Sequence, residues 1–134
     1  MLKIVLMMMP LTVGRSMQDA IAVDYDNTIS RNPEAFRRFL PSLARELNLK
    51  LIVATSRRGT RRDIEEFRRS GVSDWVDGVV WCGPRWKIDA CRAAGFNPVI
   101  FLDDEPESAK RGGVWWAKIS GAFKWIKEHH KRKD

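Results

Sequence analysis

The sequence predicts an α/β domain organised around a parallel sheet, and three observations lead there. Ile21 to Val23, followed by Tyr25, is an apolar run that stops abruptly in Asp24, Asp26, Asn27 and Thr28. A continuous run suits a central parallel strand, because helices cover both of its faces. Further apolar runs at Leu49 to Ala54, Val76 to Trp81, Pro98 to Leu102 and Val114 to Ala117 alternate with stretches of helical spacing. Strands alternating with helices at close spacing form parallel sheets with helices on both faces. Polar residues also gather where several of these runs end, at the sheet edge where open α/β proteins bind ligands.

The elements follow in order. Residues 1–16 are mostly apolar, with Met7, Met8, Met9 and Pro10, and lack a small-residue cleavage pattern. They read either as an extra edge strand or as a leader upstream of a start at Met17, in both cases a peripheral segment without catalytic role. After the central strand, Ser30 to Glu34 is turn-rich. Phe36, Phe39, Leu40, Leu43 and Leu47 recur at helical spacing, and Pro41 either restarts or kinks that helix. Arg61 to Arg69 reads as a helix with Ile64 and Phe67 inward and Gly71 as its cap. Pro84 to Ala94 reads as another, with Pro near its start and Gly95 after its end. Glu107 to Arg111 is a candidate short helix, and Ala122 to Lys131 a closing one.

At 134 residues, the chain is one domain with room for a real core, residues 17–134. Its 44% hydrophobic and 31% charged content is that of an ordinary globular protein, not a disordered one. The net charge of +7, from 24 Lys and Arg against 17 Asp and Glu, favours anionic partners as much as it favours plain solubility. Cys82 and Cys91 form no CxxC pair and lack zinc spacing, so they read as reduced structural thiols of a cytoplasmic protein. No apolar stretch reaches the roughly 18 residues of a membrane span.

Asp24 and Asp26 lie two residues apart at a strand exit, where extended geometry points them the same way. Carboxylates crowded at such a place are tolerated mainly when a cation or a shared proton compensates. Thr55 and Ser56 end a second strand, Asp103 and Asp104 end a later one, and Lys87 opens a helix. Hard carboxylate ligands suit Mg²⁺, while a hydroxyl and a lysine suit phosphoryl oxygens.

These residues resemble a known pattern. Val23-Asp24-Tyr25-Asp26-Asn27-Thr28-Ile29 is similar to the Asp-x-Asp-x-Thr first motif of the haloacid dehalogenase (HAD)-like superfamily of aspartate-dependent phosphohydrolases. Val53 to Arg57 resembles its second motif, Lys87 its third and Val99 to Asp104 its acidic fourth, in order over residues 20–118. The resemblance implies a three-layer Rossmann-like domain with about five parallel strands. It implies a Mg²⁺-dependent phosphomonoester hydrolase in which Asp24 attacks phosphorus and Asp26 serves as proton donor and acceptor. Asp24, Asp26 through its carbonyl, and Asp103 or Asp104 would hold the metal. Thr55 and Lys87 would bind the phosphoryl group, with Thr28, Ser56 and Arg57 completing the substrate contacts.

The chain departs from the family at Asn27, where Gly is usual, although Asn tolerates a left-handed backbone. The fourth motif reads Asp103-Asp104-Glu105-Pro106-Glu107, so several acids compete for the metal, and Asp103 and Asp104 are preferred to Glu107. Residues 29–36 are too few for a cap domain, as is the segment after the third strand, which implies an open site.

Plainer readings stand beside these. Either aspartate alone is explained as a turn cap, Thr55 as a turn residue and Lys87 as a solvated helix lysine. Arg57, Arg58, Arg61 and Arg62 serve a second phosphate or nucleic-acid backbone, or form a solvated face paired with Asp63, Glu65 and Glu66, the preferred reading. Most of the six tryptophans belong to packing or a subunit interface, and Trp81 and Trp86 are the best candidates for base stacking. His129 and His130 read as solvated. Charge and the arginine cluster tilt the substrate toward a nucleotide or nucleic-acid end, with the protein a monomer or homo-oligomer. The rivals are a non-catalytic nucleic-acid-binding module, a phosphotransferase using the same aspartate and, more remotely, a receiver-like domain.

Overall fold

A computed structural model describes the backbone of residues 3–6 and both backbone and side chains of residues 16–104. The expected elements at Glu107 to Arg111, Val114 to Ala117 and Ala122 to Lys131 lie outside the described residues, as do Glu107, Trp115, Trp116, Trp125, His129 and His130. In chain order the elements are β1 (Lys3–Leu6), β2 (Gln18–Val23), α1 (Pro33–Glu46), β3 (Lys50–Thr55), α2 (Arg61–Ser70), β4 (Gly78–Trp81), α3 (Lys87–Ala93) and β5 (Phe96–Asp103). Short 3₁₀ turns at Ile29–Arg31 and Val72–Asp74 join them.

The sheet order is β1-β5-β2-β3-β4. Strands β2 to β5 run parallel, and β1 pairs antiparallel with β5. The expected parallel sheet is thus four parallel strands among the described residues. The edge position beside β5 is taken by the N-terminal segment, as the edge-strand reading of residues 1–16 anticipated.

Alternation along the strands sorts side chains onto two faces. Ile21, Val23, Leu51, Val53 and Leu102 pack with Leu40 and Ala44 of α1 and Phe67 of α2. Ala20, Ala22, Ile52, Ala54 and Phe101 pack with Ile88, Ala90 and Cys91 of α3. Three layers result. The connections β2-α1-β3 and β3-α2-β4 step one way along the sheet, and β4-α3-β5 returns across it. Right-handed crossovers then require opposite faces for the two directions.

Helix ends follow local chemistry. Asn32 caps α1 by accepting from Ala35 N–H at 3.2 Å, and Pro41 stays inside the helix rather than restarting it. Thr60 and Asp63 form a reciprocal capping box on α2, and Gly71 closes it at φ 77° in the left-handed region that Gly adopts at little cost. Helix α3 begins at Lys87, three residues later than Pro84 suggested. Arg85 holds the preceding turn by donating from Nη2 to the Trp81 carbonyl at 2.9 Å and from Nε to the Cys82 carbonyl at 3.1 Å.

Strand β5 carries Pro98, which has no N–H for a sheet ladder. The β2–β5 register shifts there: Ala20 faces Pro98 and Ile21 faces Ile100, so Val99 has no partner on β2. No helix of the described residues is long and apolar enough to cross a membrane.

Candidate active site

Three parallel strands and one helix deliver the site. Asp24 follows β2, Thr55 ends β3, Asp103 ends β5, and Lys87 opens α3. The Asp24 N–H donates to the Leu102 carbonyl at 2.8 Å, which extends the β2–β5 pairing and sets Asp24 beside Asp103. This is where the chain direction reverses across the sheet, the crevice that such folds offer to ligands.

Lys87 Nζ donates to Asp24 Oδ1 at 3.0 Å and to Asp103 Oδ2 at 2.7 Å. All three side chains are nearly sealed from water, at 3%, 7% and 0% exposure. The reading of Lys87 as a solvated helix lysine is therefore wrong, since its ammonium lies under the sheet edge. Two carboxylates share this one ammonium in a low-dielectric place. Burial first, and then Asp103, push the Asp24 carboxyl up to about 7, although Lys87 opposes them. Burial works against the charge of Lys87, but Asp103 and Asp24 outweigh it and raise its pKa.

Asp24, Asp103 and Asp104 each present an oxygen within 4.8 Å of the others. A hard divalent cation fits this donor set, because one or two carboxylates with waters satisfy Mg²⁺ and its charge would offset their mutual repulsion. Thr28 is buried, and its Oγ1 has no hydrogen-bond partner among the described residues. Asn27 sits at φ 59°, so the position where the resembled family has Gly does adopt the left-handed backbone.

Thr55 is buried, and its Oγ1 accepts from the Arg57 N–H at 3.2 Å. Its hydroxyl hydrogen is left to donate elsewhere. Ser56 is exposed at the start of the loop. Asp26 stands apart from the three clustered acids. Its two oxygens accept from Arg57, Oδ2 from Nε at 2.9 Å and Oδ1 from Nη2 at 2.8 Å. The other terminal nitrogen of Arg57 reaches Glu66 at 2.6 Å and lies 3.6 Å from Asp63, and the guanidinium sits 5.4 Å from the Tyr25 ring centre.

Sequence reasoning grouped Arg57 with its neighbours and named Asp63, Glu65 and Glu66 as their partners. Its pairing with Asp26, 31 residues away, carries no local signal. Tyr25 was also missed, although an aromatic ring between two candidate acids is a hint of what supports them. Trp81, one of the two stacking candidates, instead packs edge-on against Phe67 at 5.8 Å. It also lies so close to Gly59 that a Cβ there would sit 2.6 Å from its Cγ. Trp86 is 43% exposed beside Lys87. Cys82 and Cys91 are buried free thiols on the α3 face.

No family model, curated protein or solved structure matches the chain.

Proposed function

We propose that this chain is a Mg²⁺-dependent phosphomonoester hydrolase of the HAD-like kind, working through an aspartyl-phosphate on Asp24. The observation that carries the reading is the buried Asp24–Lys87–Asp103 cluster with Asp104 beside it, at the carboxyl edge of a parallel sheet. A structural ion pair has no need of a third and fourth charged group at that edge, whereas phosphoryl transfer does.

Asp24 Oδ attacks phosphorus as the bond to the leaving oxygen breaks, and Asp26 gives that oxygen a proton. Asp26 then takes a proton from the water that attacks the aspartyl-phosphate. Cleavage of the Asp24 O–P bond releases inorganic phosphate. Lys87 keeps Asp24 oriented, and the Thr55 hydroxyl donates to a phosphoryl oxygen. Mg²⁺, held by Asp24, the Asp26 carbonyl and Asp103 or Asp104, would supply positive charge against the phosphate and favour ionised Asp24.

The connection from Asp24 to Asn32 and the turn before Lys87 are short, which supports an open site without a cap domain. An open, basic protein with an exposed Trp86 fits a large anionic substrate, a nucleotide or nucleic-acid end. A cytoplasmic monomer or homo-oligomer is the accompanying expectation.

The test is phosphate release from an aryl phosphate, with Mg²⁺ and with chelator, for wild type and Asp24→Asn. Mg²⁺-dependent turnover lost in the variant supports the reading. Equal activity in both proteins removes Asp24 as nucleophile.

A further inference from the structure

We infer that Arg57 is a positioning residue for Asp26, a role that rests on the phosphomonoesterase reading above. The loop after β2 and the loop after β3 are joined by no backbone hydrogen bond among the described residues. What joins them is the guanidinium of Arg57. Its Nε and Nη2 fork onto both oxygens of Asp26, and its Nη1 is tied to Glu66 on α2. The Tyr25 ring supports it, and Asp63 of the α2 capping box lies near.

A fork of this kind fixes direction as well as distance, because two parallel N–H···O bonds remove the carboxylate's freedom to turn. Asp26 needs such help, with 47% of its side chain exposed beyond the end of its strand. Groups that transfer a proton must sit within a narrow distance of the atom they serve, and small misplacements cost large factors in rate.

Direct binding of substrate phosphate is the competing role for Arg57. All three guanidinium nitrogens already donate to carboxylates, and Arg57 is only 25% exposed. A phosphate would have to displace Asp26 or Glu66 to reach it. The arrangement therefore favours an arm that acts through Asp26, and Glu66 sets the arm.

The two roles separate by leaving group. A nitrophenyl phosphate departs with little proton assistance, whereas an alkyl phosphate depends on it. The whole 134-residue chain with Mg²⁺ is assayed on both, as wild type, Arg57→Ala, Arg57→Lys, Glu66→Gln, Asp26→Asn and the Arg57→Ala/Asp26→Asn pair. Thermal melts and circular dichroism run alongside. The expected result for Arg57→Ala is a kcat on the alkyl ester reduced roughly 10- to 100-fold, a much smaller loss on the nitrophenyl ester, and KM within about twofold. Glu66→Gln follows in the same direction with a smaller effect, and it reports the arm even where Arg57→Ala folds poorly. The double variant is no slower than Asp26→Asn alone, since both changes act through one group.

A rise in KM with kcat intact, losses that multiply in the double variant, or equal losses on both esters that track the melting temperature would each overturn the inference and leave the parent reading standing. Wild-type turnover that survives Asp24→Asn, or no turnover at all, overturns the parent reading and this inference with it.

Discussion

At the amino edge of the sheet, Asp19 accepts from Asn97 Nδ2 at 3.0 Å and Asp77 accepts from the Leu51 N–H at 2.8 Å. At the carboxyl edge, Asp24 and Asp103 converge on one lysine, with Asp104 beside them. The acids at the first edge each have a neutral donor, a side-chain amide for Asp19 and a backbone N–H for Asp77. Those at the second repel one another in a dry place, and that conflict persists inside a folded core. A groove of about 590 Å³ lies at the amino edge, lined by Pro41, Arg45, Lys50 and Trp75 among others. This groove and the concentrated charge lie at opposite ends of the same strands. The proposed function places chemistry at the charged end, because a perturbed cluster is the better candidate to bind and react.

The sharpest test of this contrast exchanges one acid at each edge. Asp24→Asn should lower phosphate release by roughly 10³-fold or more, because the proposed nucleophile is removed while shape is kept. Asp19→Asn should leave turnover within about twofold of wild type in the same assay. Next in size is Lys87→Met. It removes the ammonium shared by Asp24 and Asp103, and breaking a buried pair from one side costs about 3 kcal/mol. Chemical denaturation should register that loss, and adding Asp103→Asn should recover part of it.

The third prediction concerns pH and metal. The folded pKa of Asp24, about 7, lies above its ordinary value of 3.8, so the folded chain holds that proton more tightly than the unfolded chain does. Stability from this group is therefore largest at low pH and falls as pH rises between those two values. In chelator, the pH slope of wild-type stability should exceed that of Asp24→Asn across this window. At pH 8, Mg²⁺ at a hundredfold its Kd should add ~2.7 kcal/mol to wild type and far less to the variant. The smallest effect belongs to the amino edge. Asp77→Ala strands the Leu51 N–H and should cost about 1 kcal/mol in denaturation, with turnover unchanged.

Much of this arrangement was legible in the residues. The run from Ile21 to Val23 and its abrupt polar ending marked β2 and Asp24, because burial on both faces leaves no other pattern. Gly71 marked the end of α2, because few other residues take that backbone. The site was legible to the extent that each acid, hydroxyl and lysine ended or began an element, since parallel strands bring all such ends to one edge. Partners formed across the fold were not legible. The fork of Arg57 onto Asp26 joins two loops distant in sequence, and neighbouring arginines on α2 look identical in one dimension. The start of α3 was misread because Pro84 fits a first helical turn equally well as a free-standing one. Strand β1 was only one of two readings, as its pairing depends on an edge of β5 that local pattern does not reveal.

That Val99 has no partner on β2 has a further consequence, one of parity. Beyond it, Phe101 faces Ala22 and Leu102 faces Val23, so Asp103 comes level with Asp24 and turns toward the same helix. Strand side chains alternate, and a shift of one residue exchanges the faces. A chain lacking Val99 would keep the same acids, in the same order, on the same strand. Its pairs with β2 would also stay as they are, Ala20 with Pro98 and Ile21 with Ile100, so Asp103 would remain level with Asp24 and on the same face. The bulge beside Pro98 thus absorbs one residue, and the phase of the cluster is set by the unbroken run from Ile100 to Asp103, where a single inserted or deleted residue would turn Asp103 to the opposite layer.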